Sequence, residues 1–408
     1  MYLSRFGVKN YKCLGEIDIP LTPIHVLIGQ NDCGKTSLLE AMAAFHASSE
    51  KRLAETFPGP WSGRELVRHE SPDGIVELSG EWAACSSEVP RIRLPLKYRL
   101  IIEFSRETGD CVCCEEEIQI RGESRPLTWP AWSRPGAAIL PRFRQTGELS
   151  NGIAPADISD LRTALKPAHK YSLSARQMAV PAAFDAARRF RLDPDGFGLA
   201  TLLDDILGFD PQLYLRMRDA FSELFPAFCT VRVRTDTGLQ RRYNPSGLHD
   251  SRTEAGKGIE FETPSGKIVR AQHASDGAIL FLGFLALAHL PDPPKLLLIE
   301  EPENGIYPKR LAQVIQLLKQ LVHRTEGVRF PQIILTTHSP YVLSFFEPEE
   351  VTLLSRPADA PDAAVRARPL RDAPNIRERL GNDFYLGELW YNLSEGELFG
   401  DGSDQGGN

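Results

Sequence analysis

Gly29-Gln30-Asn31-Asp32-Cys33-Gly34-Lys35-Thr36 is the stretch on which the reading of this 408-residue chain turns. It follows IHVLI (24–28), a short β-rich apolar run with the pattern of a buried central strand. It precedes Leu38, Leu39, Met42 and Phe45, spaced along one face of a helix. Strand, glycine-rich turn and helix in that order match G-x-x-x-x-G-K-[ST]. The glycines let the backbone wrap tightly. Donors from Gly29, Asn31 and Gly34, and the helix N-terminus through Ser37, then point at phosphate oxygens. Lys35 brings positive charge to the β- and γ-phosphates, and the Thr36 hydroxyl is a ligand for Mg²⁺. The bland alternative, a chance glycine-rich turn, gives no reason for the flanking strand and helix. Cys33 reads first as a small residue that fits the turn, and second as an oxidation-sensitive thiol.

Two later stretches carry related chemistry. KLLLIEEPENG (295–305) places Glu300 and Glu301 at the end of an apolar strand, where ligands of parallel α/β sheets sit. One carboxylate suits the Mg²⁺ shell and its neighbour suits orienting or deprotonating a water. Alone, the pair would read as a solvated strand end; beside a phosphate loop the functional reading gains. IILTTHSP (333–340) ends another apolar strand in His338, which suits a γ-phosphate sensor, although a lone histidine is usually structural.

The rest of the chain sets the frame. Lys+Arg 47 against Asp+Glu 54 gives a net charge of −7, and hydrophobic residues make up 42%. This excludes general disorder and a protein coated in positive charge, but not a local basic surface. Seven scattered cysteines and no apolar leader indicate a reducing, cytoplasmic setting. The longest apolar run, Ala278 to Leu290, is too short for a membrane span and reads as a buried helix. Residues 75–120 hold β-like runs suited to an antiparallel layer, and 156–228 are helical in character. Between Arg162 and Arg191 stand seven Lys/Arg against Asp185 alone. That run reads either as a solvated face or as a track for a nucleic-acid backbone, with Arg188, Arg189 and Arg191 the first candidates. Cys111, Cys113 and Cys114, with Cys85 upstream, lack the spacing of a zinc site and read as structural.

Taken in order, the phosphate loop, ASDG (274–277) before the apolar helix, IEEPENGIYP and TTHSP resemble the ABC-type ATPases of the RecF/SMC/OLD branch. In particular they resemble AAA-family ATPases related to OLD proteins, found in prokaryotic defence and DNA maintenance. The resemblance covers about residues 1–50 and 260–395 closely, and the middle by general plan. It implies an α/β P-loop NTPase head of ABC type, with an antiparallel β layer and a helical insertion. The expected domains are an N-terminal ATPase lobe (1–150), a basic helical insertion (151–228), a C-terminal ATPase lobe (229–395) and an acidic tail (396–408). It also implies that Lys35 and Thr36 bind phosphate and Mg²⁺, that Glu300 is the Walker B acid, Glu301 the catalytic base and His338 the switch histidine. Asn304 falls in the D-loop. Ser275 and Gly277 fall on the signature motif, which in that family contacts nucleotide held by the opposite subunit.

The expected function is an ATPase whose nucleotide-dependent homodimerisation is coupled to DNA sensing or to a separate nuclease-like effector. OLD-type nucleases carry a Toprim domain, and residues after the switch histidine leave no room for one, so nuclease activity within the chain is not expected. The alternative is a nucleotide-gated scaffold that hydrolyses little; a membrane-transporter subunit fits the motifs less well. Two departures stand out: Glu300 occupies a position where many relatives have Asp, and the Q-loop glutamine has only Gln145 as a candidate, which equally suits a plain surface residue.

Overall fold

The computed structural model describes residues 1–57, 63–71, 73–83, 95–105, 110–120, 123–128, 136–141, 155–185, 189–243, 249–291, 293–322, 331–356, 363–380, 385–392 and 395–399. The chain divides into two compact units. The first comprises Met1–Lys170, Pro294–Leu298 and Gln332–Asn408; the second comprises Tyr171–Pro293 and Ile299–Pro331.

An antiparallel sheet in the first unit is built from β1 (Tyr2–Tyr11), β2 (Leu14–Pro20), β4 (Ile75–Ala83), β5 (Leu96–Phe104), β6 (Cys111–Ile120) and β7 (Glu123–Thr128). The spatial order is β2-β1-β4-β5-β6-β7. Burial alternates residue by residue along β4 and β5, as one solvated and one buried face require. The solvated face is laced with ion pairs such as Arg5–Asp18 and Arg99 with Glu77 and Glu115. The layer expected over 75–120 thus also recruits β1 and β2. Pro126, which lacks an N–H for the ladder, is accommodated because β7 is an edge strand.

The second sheet has the order β16-β15-β3-β14-β13-β8. Its strands are β3 (Ile24–Ile28), β8 (Ala168–Tyr171), β13 (Leu296–Glu300), β14 (Gln332–Thr336), β15 (Val351–Ser355) and β16 (Arg366–Pro369). β3 pairs in parallel with both β14 and β15. Every residue of β3, β14 and β15 is buried, which accounts for their mainly apolar sequences. The Gln332 N–H donates to the Lys295 carbonyl at 2.8 Å, so β13 and β14 start side by side.

The helix Lys35–Ala47 packs on the antiparallel sheet. Phe45 lies 5.8, 6.0 and 5.6 Å, ring to ring, from Phe6, Trp82 and Tyr98. Gly80 makes room for it: a Cβ there would stand 2.8 Å from both Phe45 Cε1 and Leu3 Cδ1. Buried polar side chains tie the layers together. Gln332 accepts from the Leu3 N–H at 2.9 Å and donates to the carbonyls of Leu3 and Thr22 at 2.8 and 3.1 Å. His25, in β3, bridges Thr22 and Thr352 hydroxyls at 3.1 and 2.9 Å. His46, near the end of the helix, meets the Lys166 carbonyl at 2.7 Å.

The second unit is built around a long hairpin, β10 (Thr230–Tyr243) with β11 (His249–Glu262). Short strands β9 (Ala182–Ala183) and β12 (Ile268–Arg270) add to it. Helices Leu199–Phe209 and Pro211–Leu224 pack on it, and Asp276–Ala288 packs against those two helices. Asp210 ends the first and caps the second, accepting from Gln212 and Leu213 N–H groups at 2.9 and 3.1 Å. The apolar helix read at 278–290 is this Asp276–Ala288 helix, buried from Ala278 to Ala288. The stretch 156–228 is mainly helical among its described residues, but β8 and β9 interrupt it. Residues 400–408 of the expected tail lie outside the described residues.

Candidate functional site

The phosphate-loop sequence forms the turn between β3 and the helix Lys35–Ala47. Three of its residues have positive φ: Gly29 (145°), Asp32 (61°) and Gly34 (86°). Glycine is needed at two of them for space as well as conformation. A Cβ on Gly29 would stand 2.2 Å from the Leu354 carbonyl oxygen, and one on Gly34 would stand 2.9 Å from Leu14 Cδ2. Gly34 is also the N-cap, with no side-chain cap and no acidic residue in the first turn. The first helical bond made from the loop side is Leu38 N–H to the Gly34 carbonyl. The amides of Thr36 and Ser37 find no acceptor among the described residues. Uncapped donors at a positive dipole end form an anion site.

Lys35 is 6% exposed, and its ammonium donates to the Gly29 and Gln30 carbonyls at 2.9 and 2.6 Å. The charge is thereby held inside the loop. Cys33 is buried, its Sγ 3.6 Å from Lys35 Nζ. Thr36 is exposed, and Asn31 likewise stands at the surface of the turn. His338 follows β14, the parallel neighbour of β3, so it emerges at the same strand edge as the loop. Its preceding residue, Thr337, is fully buried and donates its N–H to the Leu27 carbonyl at 3.1 Å.

A feature not singled out in the sequence adjoins the loop. A cavity of about 320 Å³ is lined by Lys12, Cys13, Arg68, His69, Glu70 and Arg356. Cys13 Sγ is 3.6 Å from Ser37 Oγ, and Arg68 donates to the Cys13 carbonyl at 3.2 Å. The signal was present only as isolated cations at the β1–β2 turn and far along the chain, which no local pattern connects.

In the second unit, Glu300 ends β13 and Glu301 begins the turn after it, with a φ of +44° rare for a non-glycine residue. Asn304 Nδ2 donates to Glu301 Oε2 at 2.5 Å. The next residue, Gly305, has its carbonyl 3.6 Å from where a Cβ on Gly277 would stand. Ser275 is the exposed N-cap of the Asp276–Ala288 helix, with no side-chain cap of its own. The structure therefore brings Glu301, Asn304, Gly305 and the Ser275–Gly277 segment into one neighbourhood.

Thr36 and Glu300 supply hydroxyl and carboxylate oxygens, the hard donors that Mg²⁺ takes together with substrate phosphates. Among the described residues no group of three or more His, Cys, Asp or Glu is arranged to hold a metal. Cys111 and Cys113 are buried in β6, and burial pushes the Cys111 thiol up to about 11. Cys85 lies outside the described residues, as do Gln145 and Arg188. The basic run is divided: Lys166 and Lys170 belong to the first unit, Arg176, Arg189 and Arg191 to the second. Lys170 pairs with Glu40 and Arg189 with Asp205, each at 3.5 Å. No helix among the described residues is long and apolar enough to cross a membrane.

Comparison with known proteins sharpens this picture. Residues 140–344 match the family described as AAA domain, putative AbiEii toxin, Type IV TA system. Residues 1–123 match the AAA ATPase domain. An OLD nuclease of Thermus scotoductus is 22% identical over 401 residues, covering 94% of this chain and 67% of the relative. The DNA replication and repair protein RecF of Renibacterium salmoninarum is 29% identical over 113 residues, covering 26% of this chain and 28% of RecF. Among solved structures, an Smc head bound to the C-winged helix domain of ScpA superposes with a TM-score of 0.53 at 16% identity. That match covers 91% of this chain and all of the head, and it speaks to fold alone.

Proposed function

Since the chain belongs to the AAA-domain family whose description names a putative AbiEii toxin, within the ABC-type ATPases of the RecF/SMC/OLD branch, we propose that it binds and hydrolyses ATP. The observation that carries this reading is the loop Gly29–Thr36: uncapped helix amides around a lysine whose ammonium is already held inside the turn. Lys35 and the loop amides would bind the β- and γ-phosphates, with Gly29, Asn31, Gly34 and Ser37 shaping the cradle. Thr36 and Glu300 would hold Mg²⁺, which offsets phosphate charge when bound. Glu301 would act as general base and His338 as γ-phosphate sensor. Ser275, Gly277 and Asn304 would face nucleotide held by a second copy, so that ATP favours a dimer.

The role of that dimer is proposed from the relatives: control of a separate nuclease-like effector, or sensing of DNA, in prokaryotic defence or DNA maintenance. Fluorescence anisotropy of labelled DNA at two salt concentrations, with and without ATP, tests the DNA branch. Salt-insensitive signal in both nucleotide states would remove it.

The decisive test of the enzyme reading is Glu301→Gln. Steady-state phosphate release should fall roughly 10²-fold or more while ATP binding persists. Unchanged release would mean that Glu301 is not the base. One observation favours the slower alternative, a nucleotide-gated scaffold. Glu301 is strained in φ and its Oε2 already accepts from Asn304, which favours the charged carboxylate and makes it a weaker base. On that reading wild-type turnover is low, and Asn304→Ala raises it.

A further inference from the structure

The hairpin sheet of the second unit leaves one cation unanswered. β12 (Ile268–Arg270) is an edge strand of that sheet, and its pairing with β11 sets Arg270 opposite Glu260 and Ile268 opposite Glu262. Opposite residues of an antiparallel pair share a face, so the register places Glu260, and on the diagonal Glu262, beside Arg270. Both carboxylates are engaged from the far side: Arg234 pairs with Glu260 at 2.9 Å, and Arg232 pairs with Glu262. Arg234 also meets Asp236 at 2.6 Å, and Arg241, further along β10, meets Asp195 at 2.8 Å. Arg270 differs from these three. It is exposed and makes no hydrogen bond, ion pair or ring contact among the described residues.

Its place in the chain gives that spare charge a use. The single turn Ala271–His273 follows directly, closed by the Ala274 N–H on the Ala271 carbonyl at 3.1 Å, and Ser275 comes next. At about 2 Å per residue through such a turn and about 3.3 Å per extended residue, the Cα of Arg270 stands within about 13 Å of that of Ser275. The Ser275–Gly277 segment is poorly suited to meet a triphosphate unaided. Asp276 is exposed, and no ion pair offsets its carboxylate among the described residues. That carboxylate repels phosphate oxygens, and more strongly once a closing interface excludes water. A nearby arginine reverses the balance, and its planar fork can donate to two phosphate oxygens at once.

We propose that Arg270 acts in trans, donating to the triphosphate that the Gly29–Thr36 loop of a second copy holds. This rests on the reading above, in which Ser275–Gly277 faces that nucleotide. In the reaction a water oxygen bonds to the γ-phosphorus while the bond from that phosphorus to the bridging oxygen breaks. ADP leaves with the electron pair, and Glu301 of the copy that holds the nucleotide takes the proton of the water. Arg270 offsets the charge that gathers on the γ-phosphoryl and bridging oxygens. Each active site then draws Lys35 from one copy and Arg270 from the other, and neither copy alone is complete.

The test mixes two inactive variants of the full chain. Arg270→Ala removes a side chain that has no partner among the described residues, so its Tm should match that of the wild type. Its phosphate release should fall roughly 10²-fold or more. Lys35→Ala should be silent because its loop no longer holds the triphosphate. In an equimolar mixture half of the dimers pair one variant with the other, and one of their two sites combines an intact loop with an intact Arg270. Phosphate release should therefore return to roughly a quarter of the wild-type rate. Arg270→Ala that keeps activity within threefold of an active wild type overturns the proposal and leaves the ATPase reading standing. So does a mixture no faster than Arg270→Ala alone, which would place the arginine in the site of its own copy. A wild type that releases no phosphate and shows no ATP-dependent dimer by light scattering removes the underlying reading, and the proposal with it.

Discussion

Acid should loosen the first unit through two histidines that never meet water. His25 is fully buried in the central parallel sheet, and burial, aided by the charge of Arg371, pushes its pKa down to about 3. His46 sits at the end of the phosphate-loop helix, where burial pushes it to about 4 against the opposing pull of the Lys166 carbonyl. Both folded values lie below the unfolded value of 6.5, so the unfolded chain binds more protons. The stabilisation of the neutral rings is therefore complete above about pH 6.5 and is lost as pH falls toward the folded values. Each ring costs about 1.4 kcal/mol per pH unit in that window, or about 2 kcal/mol at about pH 5. Together they remove about 4 kcal/mol from a domain stability of typically 5–15.

Urea unfolding at about pH 7.5 and pH 5, followed by tryptophan emission, measures this directly. Trp82 is a suitable reporter, since its ring lies 6.4 Å from that of His46. Replacing both histidines by glutamine lowers stability at neutral pH, because hydrogen bonds are lost, but it should flatten the slope between the two pH values. A slope that survives the double substitution, or a wild-type loss at about pH 5 under 1 kcal/mol, would refute the argument.

Other substitutions probe single contacts. Lys35→Ala should weaken ATP binding at least tenfold, read by titration with a non-hydrolysable analogue, since it removes the only ammonium held inside the Gly29–Thr36 turn. Gly80→Val should cost about 1–3 kcal/mol by overpacking against Phe45 and Leu3, seen as a lowered urea midpoint with an unchanged slope. Gln332→Leu should cost about 2–4 kcal/mol, because it strands the Leu3 N–H together with the carbonyls of Leu3 and Thr22.

Periodicity and motif carry much of this architecture in the sequence itself. The apolar runs at 24–28, 295–299 and 332–335 read as buried strands, and Gly29 and Gly34 as turn glycines; the strands form at Ile24–Ile28, Leu296–Glu300 and Gln332–Thr336. What the linear pattern lacked was partnership across distance. That β1 and β2 belong to the same layer as β4–β7 depends on pairings such as Arg5 with Glu81, which no local window contains. The cavity beside the loop joins Lys12 to Arg356, residues more than three hundred positions apart. The basic count over 162–191 was visible, but its division between two units was not. Local chemistry was legible; adjacency made by the fold was not.

The strand β3 is complete by residue 28, yet its two sheet neighbours begin at residues 332 and 351. At roughly 5–20 residues per second, a ribosome needs about 15–60 s to produce the first of them. Throughout that interval the segment that positions the phosphate loop is an apolar ribbon with no edge to pair with. Newborn chains should thus lean on chaperones that shield exposed strands, and fragments ending before residue 331 should aggregate. The Gly29–Thr36 turn is therefore translated well before the strands that fix its position, and takes shape only after them.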